Sequence, residues 1–448
     1  MTLEPEKTRM TEGPIGRILL RFSLPLFLGN LFQQLYNTAD SLVVGNFCGN
    51  EALAAVSSSG SLCFLLIGFF QGVFVGASVV ISRHYGARDG EGVDRAVHAT
   101  VLFSLAAGIL LTVLGVAFTP AILRWIGTPE NVMPDSVLYF RIYCSGLLGL
   151  VLYNTANGIF QALGDSRHPL YYLIVSSLAN VVLDLLFVAG LGMGVGGAAL
   201  ATVIGQCLSA FLGFRHLMSG RFLVRVSIRP FRADPKVMGL IFRLGLPSGV
   251  QNSVIAIANV VVQSRINTFG DSAMAGCGSY FKVEGFVFLP ITCLTMAMTT
   301  FVSQNLGAQQ YDRVRQGARL GTLMTVGLSE GVGIVFFLLA PFLIGLFTPD
   351  PAVVAFGVRQ ARVEALFYCM LAFSHAAASI LRGAGRSVVP MAVMLAVWCV
   401  LRICYITLML AVFQDITVVF TAYPLTWSIS SVLFALALWK GDWLSPRA

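Results

Sequence analysis

Residues 82–95 read SRHYGARDGEGVDR, and residues 303–315 read SQNLGAQQYDRVR. A shift of about 221 residues lays one on the other, serine on serine and Gly-Ala on Gly-Ala. Working outward, the same shift keeps finding matches. RFSLPLFLGN from Arg21 lies on RLGLPSGVQN from Arg243, and TPE at Thr128 lies on TPD at Thr348. QALGDSRHP lies on LRGAGRSVVP, with Gly164 on Gly385, Ser166 on Ser387 and Pro169 on Pro390. One such match is chance, whereas four in order at nearly one offset are an internal duplication.

The chain around these stretches is too apolar to build a water-facing surface. Of 448 residues, 56% are hydrophobic and 11% are charged, against about 25% charged in a soluble domain. Mean hydropathy is +0.81. The apolar runs are long and continuous, as in membrane helices, and not short and alternating as in a β-barrel. Twelve spans are expected, at 18–44, 52–82, 96–118, 134–163, 169–190, 195–218, 239–267, 275–302, 317–340, 352–382, 388–412 and 416–438. Six spans per repeat bring both halves into the membrane in the same direction. The expected fold is therefore an all-α polytopic membrane protein of twelve transmembrane helices, in two pseudo-symmetric six-helix lobes around a central cleft. Its parts are an N-terminal segment 1–17, an N-lobe 18–218, an inter-lobe linker 219–238, a C-lobe 239–440 and a tail 441–448.

The net charge of +8 does not point to nucleic acid, because it follows topology. Arg17, Arg21, Arg83, Arg88, Arg95, Arg167, Arg215 to Arg243, Arg313, Arg315, Arg319, Arg382 and Arg386 all fall in one set of connections. The opposite loops carry little charge. The positive-inside rule then puts both termini and the linker in the cytoplasm of a multi-pass protein of the cell inner (plasma) membrane. The nine cysteines form no C-x-x-C pair and read as small buried hydrophobes.

Motifs for other functions are missing or out of context. GMGVGG at 192–197 fits G-x-G-x-x-G but follows a membrane span with no βαβ unit around it. No phosphate-binding loop, H-E-x-x-H or G-x-S-x-G occurs. The reading is not an enzyme, with no cofactor and no obligate protein partner. Energy must then come from an ion gradient, with H⁺ or Na⁺ as the coupling ion, or from a partner.

The duplication also serves as a control. Residues common to both halves build the scaffold, and polar residues found in one half need another reason. Asp40 falls opposite Val262, Asn180 opposite Leu401 and Asp184 opposite Tyr405. Asn154 falls opposite His375 and Asn157 opposite Ala378. Tyr36 with Asp40, and Asn180 with Asp184, are spaced i, i+4 and share a helix face. Asn154, Asn157 and Gln161 make a polar stripe on the fourth span, and Thr202 adds a hydroxyl on the sixth. An acid at mid-bilayer costs about 2.5–3.5 kcal/mol and marks ion or proton pathways. Two such acids share a proton, share a cation, or have one of them held neutral.

In the second half the candidates are Glu284, which has Lys282 beside it, His375, and Arg402, which is expected to pair with an acid such as Glu364 or to bond backbone carbonyls. Glu330 and Glu364 read as helix-end residues open to solvent. Tyr36, Asn37, Asn154, Gln161, Glu284, His375 and Arg402 are the candidates for lining the cleft.

The runs LPLFLGNLFQQLYNTADSLVVGNFCGNEALAAV, GASVVISRHYGA, QALGDSRHPL, NVVLDLLFVAGLGMGVGGAALAT and FVSQNLGAQQYDRVR resemble the multidrug and toxic compound extrusion (MATE) transporters, and most of all their DNA-damage-inducible-F-like prokaryotic branch. The likeness covers essentially the whole chain. It implies antiport, with H⁺ or Na⁺ entering as an organic cation leaves. It also implies a cation or proton site at Asp40, Asn180, Asp184, Thr202 and Asn157, with Asp40, Asn180, Asp184 and Thr202 as ligands if the ion is Na⁺. The expected partners are small organic cations or drugs and the lipid bilayer. The alternative within the superfamily is a flippase for a lipid-linked precursor.

Overall fold

The computed structural model describes residues 9–125, 128–219 and 234–444, and the side chains of 37–67 lie outside that description. Every regular element among the described residues is helical. Hydrocarbon has no water to bond a peptide group, so a spanning segment must satisfy its backbone internally.

Among the described residues fourteen α-helices follow one another. They are α1 (Ile15–Gly86), α2 (Gly90–Trp125), α3 (Met133–Ser145), α4 (Leu147–Ala162), α5 (Arg167–Asp184), α6 (Gly194–Leu217), α7 (Pro235–Asn267), α8 (Asp271–Gly307), α9 (Tyr311–Gly345), α10 (Pro351–Glu364), α11 (Tyr368–Gly383), α12 (Val388–Met394), α13 (Arg402–Val412) and α14 (Thr417–Lys440). The first two expected spans lie within α1, and the ten from 96–118 onward fall on the helices that follow. Three of these spans are broken. α3 and α4 meet at 47°. A 3₁₀ turn, Ala365–Phe367, separates α10 from α11, and a π turn, Leu395–Leu401, joins α12 to α13. A second π turn, Leu185–Gly190, extends α5. Among the described residues ten helices are long and apolar enough to cross a membrane, or eleven when the bent pair counts as one span.

The chain divides into two compact units. The first holds residues 1–9 and 25–243, and the second holds 10–24 and 244–448. The duplication is visible in the bonds of each. Ser82 Oγ donates to the carbonyl of Ala162 at 3.0 Å, and Ser303 Oγ donates to that of Gly383 at 2.8 Å. Both serines are fully buried. Donor and acceptor move together by 221 residues, from 82 to 303 and from 162 to 383. Backbone conformation repeats too. Arg88 and Gln309 stand at φ 59° and 58°, and Gly164 and Gly385 at 85° and 80°.

At the turn after α1, Asp89 caps α2. Its Oδ1 accepts the Gly92 N–H at 2.9 Å and its Oδ2 meets His84 Nδ1 at 2.8 Å. The Gly92 N–H first, and His84 with it, hold the carboxyl below its usual range against the opposing effect of burial. In the second unit, the segment leading into α1 is tied down at α8 and α9. Met10 N–H donates to Gln304 Oε1 at 2.9 Å, and Arg313 donates to the Gly13 carbonyl at 2.8 Å.

The core of the second unit gathers Tyr280, Phe336, Tyr368, Trp427 and Phe434. α8 reaches α10 there without a side chain between them. A Cβ on Gly276 would lie 2.4 Å from the Val353 carbonyl oxygen, whereas one on Gly278 would meet nothing within 4 Å. Gly276→Ala is therefore expected to destabilise the protein by about 1–3 kcal/mol, the usual cost of overpacking. Gly278→Ala, which gains helix propensity alone, is expected to be neutral or stabilising by up to about 1 kcal/mol. Thermal unfolding of the two purified variants in detergent reads the difference.

Candidate functional site

In the first unit α5 and α6 set the geometry. A Cβ on Gly205 would stand 3.3 Å from Asn180 Cβ, and one on Gly197 would stand 3.0 Å from Phe187 Cβ. These approaches fix an antiparallel register that levels Asp184 with the turn of α6 carrying Thr202. Asn180, Asp184 and Thr202 are 2%, 1% and 6% exposed. The Thr202 hydroxyl donates to the Ala198 carbonyl at 3.0 Å, which leaves its lone pairs available. Neither Oδ1 nor Nδ2 of Asn180 has a hydrogen-bond partner among the described residues. A buried amide without partners costs about 1–3 kcal/mol, which makes Asn180 a candidate to hold a ligand or a side chain outside the described residues. The helix changes to a π turn directly after Asp184, a deviation that recurs at functional sites.

The register thus sets buried Asn180, Asp184 and Thr202 on packed, facing stretches of α5 and α6. It does not draw in the stripe on α4 through the bonds that stripe makes. Asn154 Nδ2 donates to the Leu150 carbonyl at 2.9 Å, and Asn157 bonds the Tyr153 hydroxyl, both within α4. Gln161 and Tyr36 are partly buried. The side chains of Asn37 and Asp40 lie outside the described residues.

The second unit holds a cluster that the sequence reading took apart. Tyr280 Oη lies 3.1 Å from Glu284 Oε1, 2.9 Å from Glu364 Oε2 and 2.9 Å from Tyr368 Oη. Gln360 Nε2 donates to Glu364 Oε1 at 2.9 Å. Glu364 ends α10, as expected of a helix-end residue, yet it is fully buried, not solvated. The helix stops inside the span, and the Cys369 N–H freed by the 3₁₀ turn donates to Glu330 Oε2 at 2.9 Å. Glu330 is thus engaged with α11 as well. The i, i+4 spacing of Gln360, Glu364 and Tyr368, and of Tyr280 with Glu284, was the signal available for this cluster.

Three further candidates have neighbours the sequence did not suggest. Lys282 does not pair with Glu284, because its ammonium sits over the Phe347 ring at 5.6 Å. Arg402, 3% exposed, forms no ion pair among the described residues. Its guanidinium lies over Tyr423 at 4.5 Å and Trp398 at 5.8 Å, and reaches Asn259 Oδ1 at 3.4 Å. Cation–π contact of this kind stabilises a desolvated cation by about 2 kcal/mol. His375 stands edge-on between Phe288 and Trp398, with ring centroids at 5.0 and 5.3 Å. The seven described cysteines are all free.

The MatE family profile matches residues 25–186 and again residues 247–408. The chain belongs to the MatE family. Its two matches are offset as the duplication is, one to each half. It is 28% identical over 439 residues to the probable multidrug resistance protein YoeA of Bacillus subtilis, covering 96% of this chain and 95% of that one. It is 26% identical over 351 residues to the FAD transporter of Shewanella oneidensis, covering 77% of each. Among solved structures it superposes on a MOP superfamily transporter from Pyrococcus furiosus with a TM-score of 0.92 at 23% identity, over 99% of both chains. It also superposes on an outward-facing multidrug resistance MATE family transporter with a TM-score of 0.91 at 23% identity, over 98% of each. The fold of this MatE protein is theirs.

A buried amide that makes no structural hydrogen bond can be replaced by leucine without loss of stability. Asn180→Leu is expected to leave thermal stability unchanged or raised by about 1–3 kcal/mol. The same variant is expected to abolish gradient-driven transport in reconstituted vesicles. A variant that unfolds early but still transports would assign Asn180 to the scaffold.

Proposed function

We propose that this MatE protein is a secondary active exporter of amphipathic, cationic organic compounds, exchanging them for H⁺ or Na⁺ by alternating access. The observation that carries the reading is the buried Asn180–Asp184 pair set level with Thr202 at a π turn. These residues supply a carboxylate, an amide carbonyl and a hydroxyl, all of which are oxygen donors suited to a proton or a small hard cation. Asp40, on α1 and four helices before Asp184 in sequence, has no counterpart in the second half and completes the set in this proposal, and Asn157 belongs to its polar surroundings. The relatives named for multidrug resistance support export of drug-like compounds. The protein acts as a transporter without catalytic chemistry or a bound cofactor. It sits in the cell inner membrane with both termini cytoplasmic, as the arginine-rich connections favour.

Ion binding at the carboxylates and cargo release are then linked. A coupling ion neutralises the site, and the organic cation loses its electrostatic partner. A second reading, favoured by the buried Arg402 and by the likeness to an FAD transporter, is a large anionic aromatic cargo.

Efflux of ethidium from proteoliposomes, under a pH gradient and separately under a sodium gradient, tests both coupling and cargo. One gradient is expected to drive wild-type efflux, and Asp40→Asn and Asp184→Asn are each expected to lose it. FAD in place of ethidium reads the second cargo. Undiminished gradient-driven efflux in both variants would remove the coupling site from the first unit.

A further inference from the structure

The turn after α1 and the turn after α8 share a backbone, with Arg88 and Gln309 at φ 59° and 58°. Their side chains differ. At a shift of 221, Gln304 falls on Arg83, Asn305 on His84, Gln310 on Asp89 and Arg313 on Gly92. The first turn closes on itself, because Asp89 takes the Gly92 N–H and meets His84. A Cβ on Gly92 would lie 2.2 Å from Asp89 Oδ2 and from His84 Nδ1, so a side chain there would break that contact. The second turn carries Arg313 at that place and has Gln310 where the capping acid stood, and Gln310 makes no side-chain bond to the start of α9. It is completed instead by a segment 300 residues away in sequence.

That segment is seated by its backbone. The Met10 N–H donates to Gln304 Oε1 at 2.9 Å. The Met10 carbonyl accepts from Asn305 Nδ2 at 3.2 Å and from Arg313 at 3.3 Å, and Arg313 also donates to the Gly13 carbonyl at 2.8 Å. Met10, Gln304 and Asn305 are all buried. Glu12 lies close enough to Arg313 to act on it through its charge. Gly13, at φ 89°, turns the segment into α1 in a conformation that other residues rarely adopt. The first turns of α1 then pack on α9: a Cβ on Gly16 would stand 3.5 Å from Leu320 Cδ2, and Leu19 and Phe22 are buried. Residues 10–24 belong to the second unit, and the same helix belongs to the first unit from Pro25 on.

The docking surface is not fully satisfied by what docks on it. Among the described residues, Asn305 Oδ1, Gln310 Oε1 and Arg313 Nε are buried without a hydrogen-bond partner. Buried polar atoms of this kind oppose the state that buries them. The arginine-rich connections place this end of the second unit on the cytoplasmic side, where water reaches all three atoms once the segment lifts. Docking gains the burial of Met10 and four hydrogen bonds. Release gains the hydration of three orphaned atoms and the freedom of the chain. Opposing contributions of this kind keep two states of a segment within reach of each other.

We propose that the turn between α8 and α9 is a docking surface for the chain's own residues 10–14, and that this strap lifts off and docks again in each transport cycle. The proposal rests on the exporter reading above, since a transport cycle is what asks the strap to move. Alternating access shifts the two units, and a helix that belongs to both must loosen its hold on one of them. The strap is the fastening at the end of that helix. While it is docked, Gln304, Asn305 and Arg313 hold the start of α1 against α9. When it lifts, the first turns of α1 are free to shift along α9. The first unit has no such surface, because its own turn is closed by Asp89 and His84.

Hydrogen exchange at the Met10 amide, read by mass spectrometry on the full chain in lipid nanodiscs, reports release directly. The wild-type amide is expected to exchange faster than the interior amides of α8 and slower than a free peptide. Gly13→Ala, which disfavours the docked turn without touching the docking surface, is expected to speed that exchange about tenfold and to leave the α8 amides unchanged. A Met10 amide as slow as those of α8, one as fast as a free peptide, or one that Gly13→Ala leaves unchanged would overturn the proposal. The second arm is a lock: Met10→Cys/Gln304→Cys, in a background with the native cysteines replaced, closed by a short reducible thiol cross-linker. Gradient-driven ethidium efflux from proteoliposomes is expected to stop on cross-linking and to return on reduction. Efflux at the uncross-linked rate in the locked protein would show that the strap stays docked throughout, and would also overturn the proposal. Should the cysteine-replaced background not fold, the exchange comparison of wild type with Gly13→Ala decides. A wild type that moves no ethidium under any gradient counts against the exporter reading, and the exchange result then decides strap release alone.

Discussion

A polar side chain in hydrocarbon has no water to bond, so it must find its partner inside the protein or wait for a ligand. That constraint organises this molecule. Where the partner is structural, the two halves solve the problem identically: a buried serine hydroxyl closes on a carbonyl 80 residues further along, in each unit. Where the halves differ, the polar groups are those a six-helix lobe does not require. Asn180 and Asp184 belong to the first unit, and Tyr280, Glu284 and Glu364 to the second.

The two sets have different chemistry. In the first unit a carboxyl, an amide and a hydroxyl are buried on two packed helices, and the Asn180 amide has no partner among the described residues. In the second, two acids and two phenols bond one another, with Arg402 held on aromatic faces nearby. A site with an unspent amide suits a ligand that arrives. A site whose oxygens already meet through hydrogens is closed by its own members. Both lie beside a departure from regular α-helix, the π turn after Asp184 and the 3₁₀ turn after Glu364. A change of charge there acts where the backbone is least constrained by its own ladder.

Much of this was legible in the sequence. Apolar run length placed the spans, and the repeat placed the halves, because both depend on local chemistry and on simple self-comparison. The burial of Asn180 and Asp184 followed from their i, i+4 spacing in an apolar run. Glu364 was misplaced for an identifiable reason. It does end a helix, but the helix ends inside the span, and no proline or glycine marks the break at Ala365–Phe367. What makes that break tolerable is Glu330, 39 residues away from the N–H it satisfies. Arg402 was expected to pair with an acid or to bond backbone carbonyls, and its stacking on Trp398 and Tyr423 depends on two further elements that local spacing does not reveal. Asp40 and Asn37 keep the standing the sequence gives them, since their side chains lie outside the described residues.

The central claim is that shared polar residues hold the fold and unshared ones perform transport. The direct measurement pairs thermal unfolding with gradient-driven efflux for Ser82→Ala, Ser303→Ala and Asp184→Asn. The account predicts that both serine variants unfold earlier, by roughly 1 kcal/mol for each lost hydrogen bond, and still transport. It predicts that Asp184→Asn unfolds no earlier than wild type and does not transport. An Asp184→Asn protein that melts as early as the serine variants, with efflux intact, would contradict it.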